Sequence, residues 1–341
     1  MNRLEHRFAK LYDDIIEHEG DITFAVENGM VEDVQRLLKN PKCNVNAICT
    51  HDISPYDTYH VTLLLYSAMR VTSYPAGYLP ILDAILKHPK RRVNERRRED
   101  GKTPLHLVCS GPHPSPTATR MLLKQKDINA SLQDNFGLDP LSELISKVSS
   151  KNISVSVAIL EEFVNYFKTR NWKPKVDRFG FSALDRFLCN TKIHSYELEM
   201  PKTFTQFLRL LLTMQDMINL SGRTLALAGT LCSPSVFDLL LEYGANVNDS
   251  LDGETSAHCV IARNSLQKCT SLLNKHPNLT LTWNYLSAVD LARVYKTKPE
   301  IMELLPPYSK VSLRDTQVLN RNKDYKSGQC KTPSEYHLER E

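Results

Sequence analysis

The chain has 341 residues, of which 41% are hydrophobic and 24% are charged, and its formal net charge is +4. These proportions are typical of a folded globular protein and argue against wholesale disorder. The small basic excess gives no reason to expect nucleic acid or an anionic membrane as the main partner. The chain contains only 12 glycines, which excludes glycine-rich low-complexity classes of protein. No apolar run reaches the length of about 18 residues expected of a membrane-spanning helix.

The first 19 residues are predicted to form an amphipathic helix that caps the structure following it. Its apolar residues recur at helical spacing on one face: Leu4, Phe8, Leu11, Tyr12 and Ile15. The segment lacks the apolar core of a secretory signal. The eight cysteines include no C-x-x-C pair, so we expect reduced thiols and a cytoplasmic or nuclear location.

Residues 20–307 are predicted to form about eight pairs of short helices, several of them degenerate. The expected openings of the pairs lie near Ile22, Thr62, Thr103, Asp139, Ser182, Thr224, Thr255 and Ser287. From the opening residue to the leucine-bearing triplet of the second helix, the offset is 16 from Thr255 to Ser271, but 15 from Thr224 to Leu239. A threonine or serine at the opening can cap the helix, and a proline after it fits the first turn.

A second regularity concerns the asparagine that follows each second helix. Five of these asparagines have an apolar residue eight positions earlier: Asn46, Asn94, Asn129, Asn219 and Asn248. Such fixed spacing is the signature of a repeat architecture in which neighbouring units stack into one continuous core.

The segments Thr103-Pro104-Leu105-His106 and Gly244-Ala245-Asn246-Val247-Asn248 together resemble the ankyrin repeat. The resemblance implies an all-α fold with short β-hairpin turns, an ankyrin-repeat α-solenoid of about eight partly degenerate repeats. It also implies a structural, hydrogen-bonding role for His106 and His258. The pattern stops near Pro307, and residues 308–341 are polar with mixed charges, so we expect a disordered tail.

Catalytic, cofactor-binding and metal-binding motifs are not found, and we expect no enzyme activity and no cofactor. Gly101-Lys102-Thr103 imitates the end of a phosphate-binding loop, but Arg96 occupies the position of the loop's first glycine. An enzyme whose site lies on the long loops at Lys147–Ser156 and Cys189–Thr205 stays an open alternative, because spatially assembled residues leave no sequence motif.

The run from Lys87 to Arg98 is the one distinctive basic segment, and it falls on the hairpin, or finger, between the second and third helix pairs. A solvated finger is the plain interpretation. The functional interpretation makes it a nuclear-import signal or a docking patch for an acidic partner, with these contact residues: Arg91, Arg92, Arg96, Arg97 and Arg98. The resemblance also suggests hydroxylation of Asn46 and Asn248, although asparagine is favoured in turns for structural reasons.

Ankyrin stacks are mostly recognition scaffolds, so the resemblance implies a non-enzymatic scaffold that binds a protein partner through its concave face and fingers. We expect a monomer that binds neither nucleic acid nor membrane. Two alternatives stay open: a substrate-recognition adaptor of a ubiquitin ligase, and an inhibitor that masks a transcription or signalling factor.

Overall fold

The computed structural model describes residues 21–54, 57–170, 175–190, 202–214 and 222–306. The chain divides into two compact units, the first containing the residues up to Leu144 together with Ala158–Arg170. The second contains Ile145–Val157 and the residues from Asn171 onward. The predicted capping helix at 1–19 and the predicted tail at 308–341 lie outside the described residues.

Three complete helix pairs form the first unit. They are α1 (Ile22–Glu27) and α2 (Val31–Leu37), α3 (Leu63–Val71) and α4 (Pro75–Lys87), and α5 (Pro104–Ser110) and α6 (Pro116–Leu123). The first helices α1, α3 and α5 pack in series, and the second helices α2, α4 and α6 do the same. Each pair therefore buries its apolar side chains against its neighbours, as the repeat pattern predicts.

A long antiparallel hairpin joins the first two pairs. It consists of β1 (Ile48–Ser54) and β2 (Asp57–Thr62), with Cys49 opposite Val61. Both of these side chains are buried, so the base of the hairpin belongs to the core. The sequence did not predict strands of this length at this position.

The fourth pair consists of α7 (Pro140–Ser146) and α8 (Ile153–Thr169), and the division between the two units passes through both helices. Within the first unit, the Tyr166 hydroxyl near the end of α8 donates to the Ile128 carbonyl at 3.2 Å. This bond places the end of α8 beside the turn that follows α6.

Four further helix pairs lie in the second unit. They are α9 (Ala183–Leu188) and α10 (Lys202–Leu212), α11 (Thr224–Leu231) and α12 (Pro234–Glu242), α13 (Ser256–Ala262) and α14 (Leu266–Leu273), and α15 (Ala288–Val294) and α16 (Pro299–Leu304). The first helices α9, α11, α13 and α15 each pack against the next one in the series. The second helices α12, α14 and α16 do the same. Stacked rings of Phe187 and Phe207, 5.3 Å apart, hold α9 against α10.

Two short antiparallel hairpins precede the last two pairs. The first consists of β3 (Ser250–Leu251) and β4 (Glu254–Thr255), and the second of β5 (Thr282–Trp283) and β6 (Leu286–Ser287). With eight helix pairs in the described residues, the predicted all-α repeat architecture and the predicted repeat number are confirmed.

Capping at the helix openings follows the prediction at most positions. Ser182 and Ser287 form reciprocal capping boxes with the aspartate three residues later, and the Thr255 hydroxyl accepts from the backbone of His258. Thr62 and Thr224 are exceptions. Thr62 precedes α3 but its hydroxyl makes no capping bond, and Thr224 already lies inside α11, where its hydroxyl donates to Asp185 at 2.8 Å. The prediction that these two threonines cap their helices was therefore wrong, which for Thr224 is consistent with its offset of 15 instead of 16.

Each of the seven cysteines within the described residues is a free thiol. None of the helices described in the structure combines the length and apolar character needed to cross a membrane.

Candidate protein-binding surface

Two buried histidines join successive helix pairs. The Nδ1 atom of His106 accepts from the backbone N–H of Thr103 at 3.1 Å, while Nε2 lies 2.9 Å from the Leu138 carbonyl of the next pair. Since a carbonyl only accepts, Nε2 carries the proton and the ring is neutral. Burial lowers the pKa of His106 to about 4. His258 is equally buried and bridges Thr255 to the Leu286 carbonyl at 3.0 Å, which confirms the predicted structural role of both histidines.

A buried polar network surrounds the start of α5. The Nζ atom of Lys102 lies 2.7 Å from Oε1 of Glu143, a side chain that is only 4% exposed. Ser110 donates to the same carboxylate oxygen at 3.2 Å. Burial raises the pKa of the nearby Asp100, but hydrogen bonds from Arg97 and the Lys102 backbone outweigh burial and leave that pKa below its usual value. The network therefore keeps its carboxylates paired, and its Lys102 is enclosed and unsuited to contact a partner.

The asparagines at the finger positions bond the backbone of the next finger. Asn46 Nδ2 donates to the Lys90 carbonyl at 2.9 Å, and its Oδ1 accepts from the Arg92 N–H at 3.2 Å. Asn94 makes the equivalent pair of bonds to Asp127 and Asn129. In the second unit, Asn248 Oδ1 accepts from the N–H of Asn278 at 2.7 Å. These bonds give asparagine a structural purpose at each site, while hydroxylation of Asn46 and Asn248 stays a prediction.

We expect Asn46→Ala to lower the free energy of unfolding by about 1–2 kcal/mol, because two hydrogen bonds between neighbouring fingers are lost. Urea denaturation followed by circular dichroism measures the effect. Asn274→Ala is the matched control, since Asn274 is exposed at the end of α14. Equal losses in the two variants would show that the finger bonds do not stabilise the stack.

The basic finger consists of residues 91–98 between the second and third helix pairs, and two of its arginines hold the fold together. The Arg91 guanidinium donates to Asp127 at 2.7 Å and to Gln125 at 2.9 Å, and its side chain is only 15% exposed. Arg97 forms a bidentate ion pair with Asp100, with both side chains largely buried. Since these guanidinium groups already have partners within the first unit, they position the finger.

The other three arginines of the finger are exposed. Arg96 donates to the carbonyls of Gly101 and Gln133 at 3.0 and 2.9 Å, so its guanidinium is partly engaged. Arg92 is 68% exposed and lies 3.6 Å from Glu95, a weak surface pair. Arg98 makes no ion pair with any residue that the structure describes. Arg92 and Arg98 are therefore the least engaged of the five predicted contact residues.

A further set of basic residues, missed at the sequence level, lies in the turns that end the second helices of the first unit. Each turn carries two exposed cations: Lys39 and Lys42, Lys87 and Lys90, Lys124 and Lys126, Lys168 and Arg170. In the first three turns the signal was present as a lysine that follows a Leu-Leu or Ile-Leu pair at the end of the helix, whereas Lys168 of the fourth turn follows Phe167. It becomes visible only when charge is compared at equivalent positions of the repeats instead of along one continuous run.

Capped openings, buried histidines that bond the next pair and asparagine-linked fingers occur together in these stacked helix pairs. The chain has the ankyrin-repeat fold. In this ankyrin-repeat chain the Gly101-Lys102-Thr103 segment is explained by packing, because Gly101 has a φ of +73° and a β-carbon there would overlap Asn135 Oδ1.

Comparison with known proteins gives no family-model match and no match among curated proteins. Among solved structures, the human ASB11 ankyrin repeat domain is 17% identical over 72% of this chain and 99% of its own, with a TM-score of 0.47. The ankyrin repeat domain of Bcl-3, described as a unique member of the IkappaB protein family, is 18% identical over 83% of this chain and 96% of its own, with a TM-score of 0.45.

A hydrogen bond in the second unit joins the described parts of the two loops of the enzyme alternative. Asn190 Nδ2 donates to the Val148 carbonyl at 2.8 Å, and the part of the second loop at 191–201 lies outside the described residues. Among the residues that the structure describes, no group of three or more His, Cys, Asp or Glu side chains is placed to hold a metal ion. The described part of these loops thus supplies a structural contact within the second unit.

Proposed function

We propose that this ankyrin-repeat chain is a non-enzymatic scaffold that binds an acidic protein partner through the basic finger. The observation that carries the proposal is that some arginines of the finger form ion pairs within the fold while others are exposed. Arg91 and Arg97 fix the finger through pairs with Asp127 and Asp100, while Arg92 and Arg98 project into solvent. A pre-positioned finger loses little conformational entropy when it binds.

The backbone under these exposed arginines is also held from the preceding finger. The Arg92 N–H is bonded by Asn46, and Asn94 reaches forward to Asp127. The finger is thus tied to both neighbours, so the backbone positions that carry its exposed arginines keep a defined spacing. Planar guanidinium groups bind carboxylates with two parallel hydrogen bonds, which favours an acidic partner.

The proposal is tested by affinity capture from a cell lysate with the double variant Arg92→Ser/Arg98→Ser. Its matched control is Lys296→Ser/Lys298→Ser, which removes two exposed positive charges from the second unit. We expect a partner that is retained by the wild type and the control and lost by the finger variant, with unchanged thermal melting. Binding should also weaken as salt is raised, because exposed charges act mainly on association rate and specificity.

A third variant separates contact from positioning. Arg97→Ser should lower the melting temperature, because it removes the nearer of the two cations that pair with the largely buried Asp100. Identical captured proteins for the wild type and the Arg92/Arg98 variant would overturn the role of the finger. The identity of a captured partner also separates the adaptor alternative, which requires ligase subunits, from the inhibitor alternative, which requires a transcription or signalling factor.

A further inference from the structure

The turns that end the second helices of the first unit carry a repeated pair of cations, which we name the lysine row. Its members are Lys39, Lys42, Lys87, Lys90, Lys124, Lys126, Lys168 and Arg170, and all eight residues are exposed. They lie in four successive repeats, two to a repeat. The two described turns at the corresponding place in the second unit, 242–245 and 274–277, carry one lysine and one glutamate between them.

Direct contacts place the four turns side by side. Asn46, which follows the first turn, donates to the Lys90 carbonyl of the second. Arg91 reaches from the second turn to Gln125 in the third. Arg170 donates from the fourth turn to the Lys126 carbonyl at 3.1 Å. The lysine row is therefore continuous from the first repeat to the fourth.

The positive charge of the row is only partly balanced. Lys87 pairs with Asp83, both of them substantially exposed, and Asp127 near the third turn pairs with Arg91. Lys39, Lys42 and Lys90 make no ion pair with any residue that the structure describes. The same holds for Lys124, Lys126 and Lys168. Like charges at neighbouring positions repel each other, and a bound anionic chain would relieve that repulsion.

We propose that the lysine row binds an extended acidic segment of a partner protein, with an acidic residue at about every third position. Packed helices lie about 8–10 Å apart, and an extended chain advances about 3.3 Å per residue. Three residues of the ligand therefore span one repeat. This inference rests on the proposed function, because it supplies the second and larger contact surface for the same acidic partner.

The composition of the turns favours a protein segment over nucleic acid or a membrane. The four turns contain no Phe, Tyr or Trp, so single-stranded bases find no aromatic platform for stacking. They also contain no large apolar side chain that would enter the acyl region of a bilayer. Separate cations held on a rigid backbone suit carboxylates spaced along an extended chain.

The experiment measures binding of the full chain to a fluorescent peptide of about 12 residues with glutamate at every third position, by fluorescence anisotropy at low salt. The row variant is Lys39→Glu/Lys90→Glu/Lys124→Glu/Lys168→Glu. The control variant, Lys151→Glu/Lys275→Glu/Lys296→Glu/Lys298→Glu, changes the net charge equally with exposed lysines of the second unit. We expect the row variant to weaken binding at least about tenfold, which corresponds to a modest contribution from each lysine, while the control stays within about threefold.

Equal weakening in both variants, or no binding of the peptide to the wild type, would overturn the proposal. Single-stranded RNA and phosphatidylserine vesicles are measured in parallel, and tighter, row-dependent binding of either would also overturn it. Failure of the proposed function gives a different result, because the wild type would then capture no partner that depends on the basic finger. If a captured partner is retained but the glutamate peptide neither binds nor displaces it, the lysine row is wrong and the proposed function stands.

Discussion

Replacing Lys102 by methionine is expected to lower the free energy of unfolding by about 3–5 kcal/mol. The substitution removes the cation that lies 2.7 Å from Glu143, whose side chain is 4% exposed. Breaking a buried ion pair on one side is costly because the remaining charge has lost water without keeping its partner. Glu143 keeps the hydrogen bond from Ser110, which offsets only part of the loss.

The same substitution at the surface is the control. Lys87→Met breaks a pair with Asp83 whose side chains are 74% and 45% exposed, so the expected loss is below about 1 kcal/mol. A double variant, Lys102→Met/Glu143→Leu, should recover much of the stability, because it removes the unpaired charge as well. Urea denaturation of the variants measures these differences, and a loss in Lys102→Met no greater than in Lys87→Met would contradict the prediction.

Acidification should unfold the protein partly through His106. Burial holds the pKa of this histidine at about 4, against a usual value of 6.5, so the folded state binds the proton more weakly than the unfolded state. The contribution to stability is complete above pH 6.5 and is lost as the pH falls from 6.5 through 4. At about 1.4 kcal/mol per pKa unit, this loss amounts to roughly 3 kcal/mol.

Burial also lowers the pKa of His258, so protonation of His258 further decreases the stability of the fold as the pH falls. Burial raises the pKa of Asp134, and this shift acts in the opposite direction because it favours the folded state at low pH. The contribution of His106 is therefore measured as the difference in stability between the wild type and His106→Gln at each pH. His113→Gln is the control, since His113 is exposed. We expect a shallower decline of stability between pH 6.5 and 4.5 in His106→Gln. Parallel pH profiles for all three proteins would refute it.

The architecture was predictable because the same residue types recur at equivalent positions of several repeats. Ser182, Thr255 and Ser287 lie where helix openings were expected, and His106 and His258 have the structural, hydrogen-bonding role that the resemblance implied. The one irregular offset, 15 residues at Thr224, coincided with the opening where the hydroxyl bonds Asp185 instead of capping its helix.

The binding surface was less predictable, because exposure depends on partners far along the chain. Arg91 and Arg92 are adjacent in sequence, yet only Arg91 pairs inward, and its partner Asp127 is 36 residues away. Arg97 turns inward because the tight turn at Asp100 brings a carboxylate within reach. The lysine row was missed for a related reason, since its members are neighbours only after the repeats have stacked.

The asparagine bonds between fingers have a consequence for engineering. The bonding partners of Asn46 lie 44 and 46 positions later in the chain. Those of Asn94 lie 33 and 35 positions later, and that of Asn248 lies 30 positions later. The link between fingers is thus kept while the length of chain between them varies. The longest interval contains the β1–β2 hairpin, and lengthening a loop costs only about 0.6 kcal/mol per doubling. A peptide epitope or a fluorescent protein inserted between β1 and β2 should therefore be accepted without disturbing the neighbouring repeats.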